Sequence, residues 1–266
     1  MTDDIRLDAA LAARGLARSR NRAAQLIADG LVTVDGRPAT KAAQRVSDAH
    51  VIAVADSDGY VSRAALKLAA ALDAFPIDVS GRTALDVGAS TGGFTQVLLE
   101  RGAARVVALD VGHEQLAPAI RAAQNVVVIE GANARFLTRD VLAEAGVDET
   151  PTLVVADLSF ISLGLVLPAL VGTVGVDADF VVLIKPQFEV GRGGVREGIV
   201  RDPALREDAV TGVLWSAWDV GLPTAGVISS PIAGGSGNRE YLAWFSTEVG
   251  SNPTEWTEQV SALTRN

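Results

Sequence analysis

The chain has 266 residues, 48% apolar and 21% charged, with 26 glycines, 10 prolines and no cysteine, a composition that builds a globular core and excludes disordered and collagen-like chains. Without cysteine there are no disulfides, thiolate nucleophiles or zinc–thiolate sites, and with only His50 and His113 no imidazole-rich metal site is expected. A formal charge of −9 argues, taken whole, against a partner as acidic as nucleic acid.

The first eight residues are acidic and polar with no apolar core, which is not the pattern of a signal peptide. Residues 1–57 carry eight Lys/Arg against seven Asp, so the other 209 residues carry fifteen basic and twenty-five acidic side chains. The leading segment is therefore at +1 and the remainder at −10, an asymmetry that marks a division of labour. Residues 7–14 read as a short helix ended by Gly15, and Ser19 as the N-cap of a second helix closed by Gly30. A strand over 31–34, an Asp35-Gly36 hairpin signal and a strand over 51–54 follow. Arg14, Arg18 and Arg22 recur every four residues with Arg20 nearby, which gathers charge on one face if the backbone there is helical. An ordinary solvated face is the competing reading. Asp56-Ser57-Asp58-Gly59 makes a polar link, giving boundaries of 1–57 for the leading domain, 58–61 for the linker and 62–266 for the second domain.

In the second domain a helix over 62–74 precedes apolar β-type runs at 83–87, 105–111, 126–129, 152–156, 180–184, 225–229 and 241–246. Helix-length segments separate most of them, the signature of an α/β fold with a parallel sheet covered on both faces. Only about eleven residues, with Pro231 and three glycines among them, divide the last two runs. Such a link is too short for a right-handed crossover, so the seventh strand is expected antiparallel. Residues 158–176 run without a charge, yet they include Pro168 and glycines and lack a basic flank. A helix buried against the sheet is expected there in place of a membrane span.

After the first of these strands comes Asp86-Val87-Gly88-Ala89-Ser90-Thr91-Gly92-Gly93-Phe94. Glycines between strand and helix let a ligand approach the backbone. A dinucleotide fingerprint would have glycine at Ser90 and would not place Asp86 against a pyrophosphate. Asp-x-Gly-x-Ser-x-Gly resembles instead the first motif of S-adenosylmethionine-dependent methyltransferases, whose ligand carries a positive amine and sulfonium. Asp110 ends the second strand, where a carboxylate can bind a ribose diol or cap the next helix. Ligands of open α/β sheets lie beyond the carboxyl ends of the strands. Asp157 follows the fourth strand, Lys185 the fifth, and Glu240 precedes the antiparallel one at the same rim; Lys67 on the preceding helix can join them. Glu189 is a conceivable substitute for Glu240.

The leading segment resembles the S-four-type RNA-binding domain over about residues 5–55. Lys67, Asp157, Lys185 and Glu240 match the Lys-Asp-Lys-Glu tetrad of FtsJ-like ribose 2′-hydroxyl methyltransferases. Together with Val-Ser-Arg-Ala-Ala-Leu-Lys-Leu, Gly-Ala-Ser-Thr-Gly-Gly-Phe-Thr, Asn-Ala-Arg, Val-Val-Ala-Asp-Leu-Ser-Phe-Ile-Ser-Leu and Lys-Pro-Gln-Phe-Glu-Val-Gly, the chain resembles the TlyA family from about residue 5 to 247. It departs at Arg192, where a lysine is common, and in its last twenty residues. The resemblance implies a Rossmann-like methyltransferase sheet behind a small α+β RNA-binding domain, S-adenosylmethionine as cofactor, no metal, and 2′-O-methylation of cytidine in ribosomal RNA. It implies cofactor contacts at Asp86, Gly88, Ala89, Ser90, Thr91, Gly92, Gly93, Phe94, Asp110, Val111, Asn133 and Asp157. RNA contacts are expected at Arg6, Arg14, Arg18, Arg20, Arg22, Lys41, Arg63, Arg135 and Arg192, with residues 189–202 as a loop over the substrate. The expected protein is a cytoplasmic monomer acting on ribosomal subunits, not on membranes.

For the transfer itself the protein must align oxygen, methyl carbon and sulfur and assist loss of the hydroxyl proton. Lys185 is expected nearest that hydroxyl, as neutral base or as cation, and the residues do not choose between them. Structural ion pairing is the bland alternative for each lysine and carboxylate. His113 is expected to begin the helix after Asp110, and Trp215, Trp218, Trp244 and Phe245 to pack in the core. Two other functions compete: a non-catalytic ribosome assembly factor, which a degraded cofactor loop would favour, and a membrane-active haemolysin.

Overall fold

The computed structural model describes residues 4–17, 19–28, 30–54, 59–191, 198–235 and 237–265, without the side chains of Arg22 and Gln25. Two compact units make up the chain, Met1–Ala64 and Ala65–Asn266.

In the leading unit, β1 (Ile5–Arg6) runs into α1 (Leu7–Ala13), and α2 (Arg20–Ala28) is followed by β2 (Val32–Val34), β3 (Arg37–Pro38), β4 (Arg45–Val46) and β5 (Ile52–Val54). β1 pairs with β4, and β3, β2 and β5 form an antiparallel sheet in that order. Leu7, Leu11, Ala23, Leu26, Ile27, Val32 and Val46 form its core. The Asp35-Gly36 signal becomes a two-residue hairpin with Val34 opposite Arg37 and both turn residues at positive φ, 50° and 74°, as a primed turn requires. The four-residue arginine spacing does not survive. α1 ends at Ala13 with Arg14 as its C-cap, and α2 begins only at Arg20, so Arg14 and Arg22 sit on different helices.

The second unit opens with α3 (Ala65–Ala74), three residues later than the spacing suggests, and continues through β6 (Thr83–Val87), α4 (Gly93–Glu100), β7 (Arg105–Asp110), α5 (Pro118–Arg121), β8 (Val126–Glu130) and α6 (Arg139–Glu144). Then come β9 (Leu153–Ala156), α7 (Leu167–Val174), β10 (Asp179–Ile184), α8 (Pro186–Glu189), α9 (Pro203–Asp219), β11 (Thr224–Ser229), β12 (Tyr241–Phe245) and α10 (Thr257–Arg265). All seven strands join one sheet in the order β11-β12-β10-β9-β6-β7-β8. Neighbours are parallel except β12, antiparallel to both β10 and β11. This is the doubly wound α/β architecture expected, with the short 230–240 link reversing the last strand. Every residue of β6, β9 and β12 is buried, as strands covered on both faces demand.

The chain leaves β6 toward β7 and β8 on one side and returns to β9 on the other, so β6 and β9, paired in parallel, flank the switch point. Loops beyond their carboxyl ends diverge there and open a crevice. The uncharged 158–176 stretch folds as a loop, a single 3-10 turn at Leu163–Leu165, and α7, whose Leu167, Leu170 and Val174 pack into the core. Among the described residues no helix is long and apolar enough to cross a membrane.

Two expectations fail here. His113 lies in an irregular loop, because the helix after Asp110 starts at Pro118; the Asp110 carboxylate accepts the Gly112 N–H and holds that backbone in a turn. Trp244 and Phe245 are buried, but Trp215 and Trp218 are each 39% exposed. On α9 the positions facing the sheet are taken by Val210, Val213, Leu214 and Ala217, and the two indoles flank that stripe.

Candidate active site

The crevice at the switch point is lined first by the loop from β6 to α4. Gly88 sits at φ +86°, and a Cβ there would fall 2.7 Å from the Asp157 carbonyl oxygen, so no side chain fits between the two strand ends. Ser90 replaces the expected middle glycine yet takes the left-handed conformation itself, φ 47°. Its N–H donates to Asp110 Oδ2 at 2.8 Å, and its hydroxyl to Gln115 Oε1 at 3.3 Å, contacts that hold a strained backbone in place. Gly92, also left-handed, caps α4, and Phe94 is buried at the start of that helix. Ala89 and Thr91 are buried as well.

Two carboxylates face this loop in different states. Asp86 is fully buried; Thr95 Oγ1 donates to its Oδ2 at 2.6 Å, while Oδ1 has no partner. Burial pushes its pKa up to about 7, helped by the nearby Asp157 and Asp110 charges and opposed by the Thr95 bonds. Asp110 accepts two backbone N–H groups, from Ser90 at 2.8 Å and Gly112 at 2.7 Å, and so caps no helix. Val111 beside it is 66% exposed. Asn133 is placed farther along the rim, where it caps a 3-10 turn by accepting the Arg135 N–H at 3.0 Å.

A chain of four ionisable groups stands at the same rim. Lys67 on α3 donates to Glu240 Oε2 at 2.6 Å and lies 3.9 Å from Asp157 Oδ2. Lys185, directly after β10, lies 2.6 Å from Asp157 Oδ1 and donates to Ser159 Oγ at 2.8 Å. Side-chain exposure is 15% for Asp157 and lower for the other three. Burial by itself would raise the Asp157 pKa, but the Lys185 and Lys67 cations outweigh it and hold the carboxyl below its ordinary value. Buried charges survive only when paired, and here two cations and two anions alternate from Glu240 through Lys67 and Asp157 to Lys185.

Glu189 does not stand in for Glu240. Its Oε2 accepts the Ser162 hydroxyl at 2.6 Å and its Oε1 the Leu163 N–H at 2.9 Å, so it clamps the loop after β9 while burial raises its pKa. That loop carries two residues the sequence reading passed over. Ser159 holds Lys185, and Phe160 is 90% exposed at φ 65°, with its ring centroid 5.1 Å from that of Phe188. Phe160 reads as one more apolar residue; a bulky side chain at positive φ is visible only in three dimensions.

In the leading unit Asp8, another residue the sequence reading passed over, organises the arginines. Its carboxylate accepts from Arg6 Nε and Nη2, both at 3.0 Å, and from Arg20 Nη2 at 3.1 Å. The Arg6 bond comes first among the causes that bring the Asp8 pKa down to about 2. Both arginines keep exposed side chains. Arg14 is structural: it donates to the carbonyls of Ser47 at 2.8 Å and His50 at 2.9 Å. Lys41 is exposed and Arg63 half-buried, its guanidinium packed against Gly30. Arg135, in the second unit, lies over the Phe136 ring at 5.6 Å. Arg18 and Arg192 lie outside the described residues, as does the side chain of Arg22.

Comparison with known proteins agrees with this division. The FtsJ-like methyltransferase model matches residues 60–247 and the S4 domain model residues 5–52. The chain is 55% identical over 252 residues to the 16S/23S rRNA (cytidine-2′-O)-methyltransferase TlyA of Mycobacterium tuberculosis, covering 94% of this chain and 92% of the relative. Hemolysin A of Brachyspira hyodysenteriae is 42% identical over 91% of this chain and 99% of its own length. A solved structure described as a hemolysin from Streptococcus thermophilus superposes with a TM-score of 0.76 at 35% identity, covering 100% of this chain and 97% of that one. With the tetrad at the strand ends and these matches along nearly its whole length, the chain belongs to the TlyA family of FtsJ-like methyltransferases, an S4 domain joined to a methyltransferase domain.

Proposed function

We propose that the protein transfers a methyl group from S-adenosylmethionine to a ribose 2′-hydroxyl of cytidine in ribosomal RNA. The observation that carries this reading is the buried Glu240–Lys67–Asp157–Lys185 chain at the mouth of the crevice lined by the Gly88 loop. The loop fits that cofactor: Asp86 Oδ1 is a buried acceptor without a partner, suited to a cationic ligand and hostile to a pyrophosphate. Gly88 leaves room against the Asp157 backbone, and Asp110, with two N–H groups bound, retains lone pairs for a diol. When bound, S-adenosylmethionine supplies a methyl group already activated by its sulfonium, so the reaction needs no metal.

The residues then divide the work. An ammonium has three donors and no acceptor. Lys185 donates one to Ser159 and faces Asp157 Oδ1 as an ion pair at 2.6 Å, which leaves a donor for the 2′-oxygen. In this arrangement Lys185 acts as the cation, stabilising negative charge on the oxygen as the methyl carbon exchanges its bond to sulfur for one to oxygen, the sulfur leaving as a neutral thioether and the hydroxyl proton passing to water. Asp157 and Ser159 hold Lys185, while Glu240 holds Lys67. Phe160 and Phe188 offer an aromatic surface beside the tetrad on which the target base can stack. Arg6, Arg20 and Lys41 bind RNA phosphates from the S4 domain. The protein acts in the cytoplasm, as a monomer, on ribosomal subunits.

Transfer of tritiated methyl groups to ribosomal subunits from cells lacking the gene tests the reading. Label is expected in 2′-O-methylcytidine, and wild-type protein that transfers none refutes it.

A further inference from the structure

The link between β11 and β12 folds back upon the carboxylate it delivers. Within it Gly234 N–H donates to Asn238 O at 2.8 Å and Gly237 N–H to Gly234 O at 2.8 Å, and Ser230 N–H reaches Glu240 O at 2.9 Å. Gly234 passes so near Glu240 that a Cβ there would lie 2.4 Å from Oε1 and 3.0 Å from Cδ. The other oxygen, Oε2, receives Lys67 Nζ at 2.6 Å. Glu240 is therefore held between the Lys67 ammonium on one side and the bare backbone of Gly234 on the other.

Asn238 fixes that turn to a distant part of the chain. It is 2% exposed, its Oδ1 accepts the Val200 N–H at 3.0 Å, and its Nδ2 donates to Gly198 O at 2.7 Å. A side-chain amide with both ends satisfied by backbone acts as a two-point tie, and removing it leaves the buried Val200 N–H unpaired. The 198–201 strip is itself secured by Arg206, which is 7% exposed and donates to Arg201 O at 2.8 Å and Thr264 O at 2.6 Å. The turn bearing Glu240 is thus braced through Asn238 and Arg206 to α9 and α10.

We propose that Asn238 and Gly234 are positioning residues for methyl transfer: Asn238 ties the 230–240 turn to 198–200, and Gly234 leaves the space in which the Glu240 carboxylate meets Lys67. The proposal deepens the reading of the tetrad as catalytic and rests on it. Neither residue touches the reacting atoms; both act through Glu240, and through it on the placement of Lys67, Asp157 and Lys185.

The test compares wild type, N238A, G234A, E240Q and the G234A/E240Q double variant in methyl transfer to ribosomal RNA, with calorimetry of donor binding and thermal unfolding as parallel readouts. N238A and G234A are each expected to lower kcat about tenfold or more while RNA KM and donor Kd stay within about twofold. In the E240Q background, G234A is expected to cost nothing further, because the two changes act on one carboxylate. Wild-type kcat in G234A overturns the proposal, as does a full additional loss in the double variant or a loss that only follows the folded fraction. If N238A fails to fold, G234A decides; if both fail, the turn is structural and the proposal falls. A wild type that transfers no methyl group refutes the catalytic reading itself, a result distinct from all of these.

Discussion

Lys185 and Asp86 show how differently two buried charges can be handled at one rim. Lys185 is enclosed but paired, with Asp157 at 2.6 Å and Ser159 at 2.8 Å. In the proposed reaction its removal takes away the donor nearest the 2′-oxygen and leaves the cofactor loop untouched. Lys185→Ala is expected to reduce kcat by about two orders of magnitude or more with donor affinity nearly unchanged, measured by single-turnover transfer and calorimetry. Asp86 is enclosed with one oxygen unpaired, and burial brings its pKa to about 7 from 3.8. The contribution of this group to folding is complete below about pH 4, and between about pH 4 and pH 7 the folded state holds a proton that the unfolded chain has released. That advantage is lost as pH rises through about 7, with a slope approaching about 1.4 kcal/mol per pH unit. Thermal unfolding across pH 4 to 8 is expected to show this fall in the wild type and its removal in Asp86→Asn.

At the scale of elements, the loop after β9 does what no single residue of it could. Asp157, Ser159 and Phe160 lie within four positions, and Glu189 from α8 clamps the far side of the loop through Ser162 and Leu163. The left-handed Phe160 costs about 1–3 kcal/mol of backbone strain, which this clamp sustains, and its ring is left 90% exposed. An exposed aromatic held under strain beside the lysine proposed for catalysis is suited to stacking a nucleobase. Phe160→Ala is expected to raise the KM for RNA about tenfold or more, the scale of one base–aromatic stack, with donor binding unchanged. A KM equal to wild type in steady-state transfer assays would remove Phe160 from the substrate site.

For the whole molecule the charge of −9 divides unevenly: residues 1–57 are at +1 and the remainder at −10. RNA affinity must therefore be local. Asp8 holds Arg6 and Arg20 through one carboxylate while leaving both guanidinium-bearing side chains exposed; these two arginines and the exposed Lys41 are the cations proposed to meet RNA phosphates. Arg20→Glu combined with Lys41→Glu is expected to weaken RNA binding and to flatten the dependence of log K on log salt by about one unit for each phosphate no longer neutralised. Filter binding over a salt series measures both, and an unchanged slope would locate RNA binding elsewhere.

The seven strands, the reversal of the last one, the glycine loop and the gathering of Lys67, Asp157, Lys185 and Glu240 at one rim were legible in the sequence, from local signals and chain order. Continuous apolar runs mark strands buried on both faces, the link of about eleven residues before Tyr241 forbids a crossover, and residues at strand ends are carried to one rim by the topology. What depends on contacts between distant segments was not legible. The helical register of Arg14, Arg18 and Arg22 failed because α1 stops before Arg14, whose guanidinium is drawn to the Ser47 and His50 carbonyls. Glu189 became a clamp and left Glu240 without a rival, since the former meets Ser162 while the latter meets Lys67. Trp215 and Trp218 stayed partly exposed because smaller side chains already filled the α9 stripe against the sheet. Sequence determined which chemical groups reach the crevice, since that follows from periodicity and chain order. Tertiary structure alone decided which of them pair, because pairing depends on side-chain distances of a few ångströms between segments up to 173 positions apart.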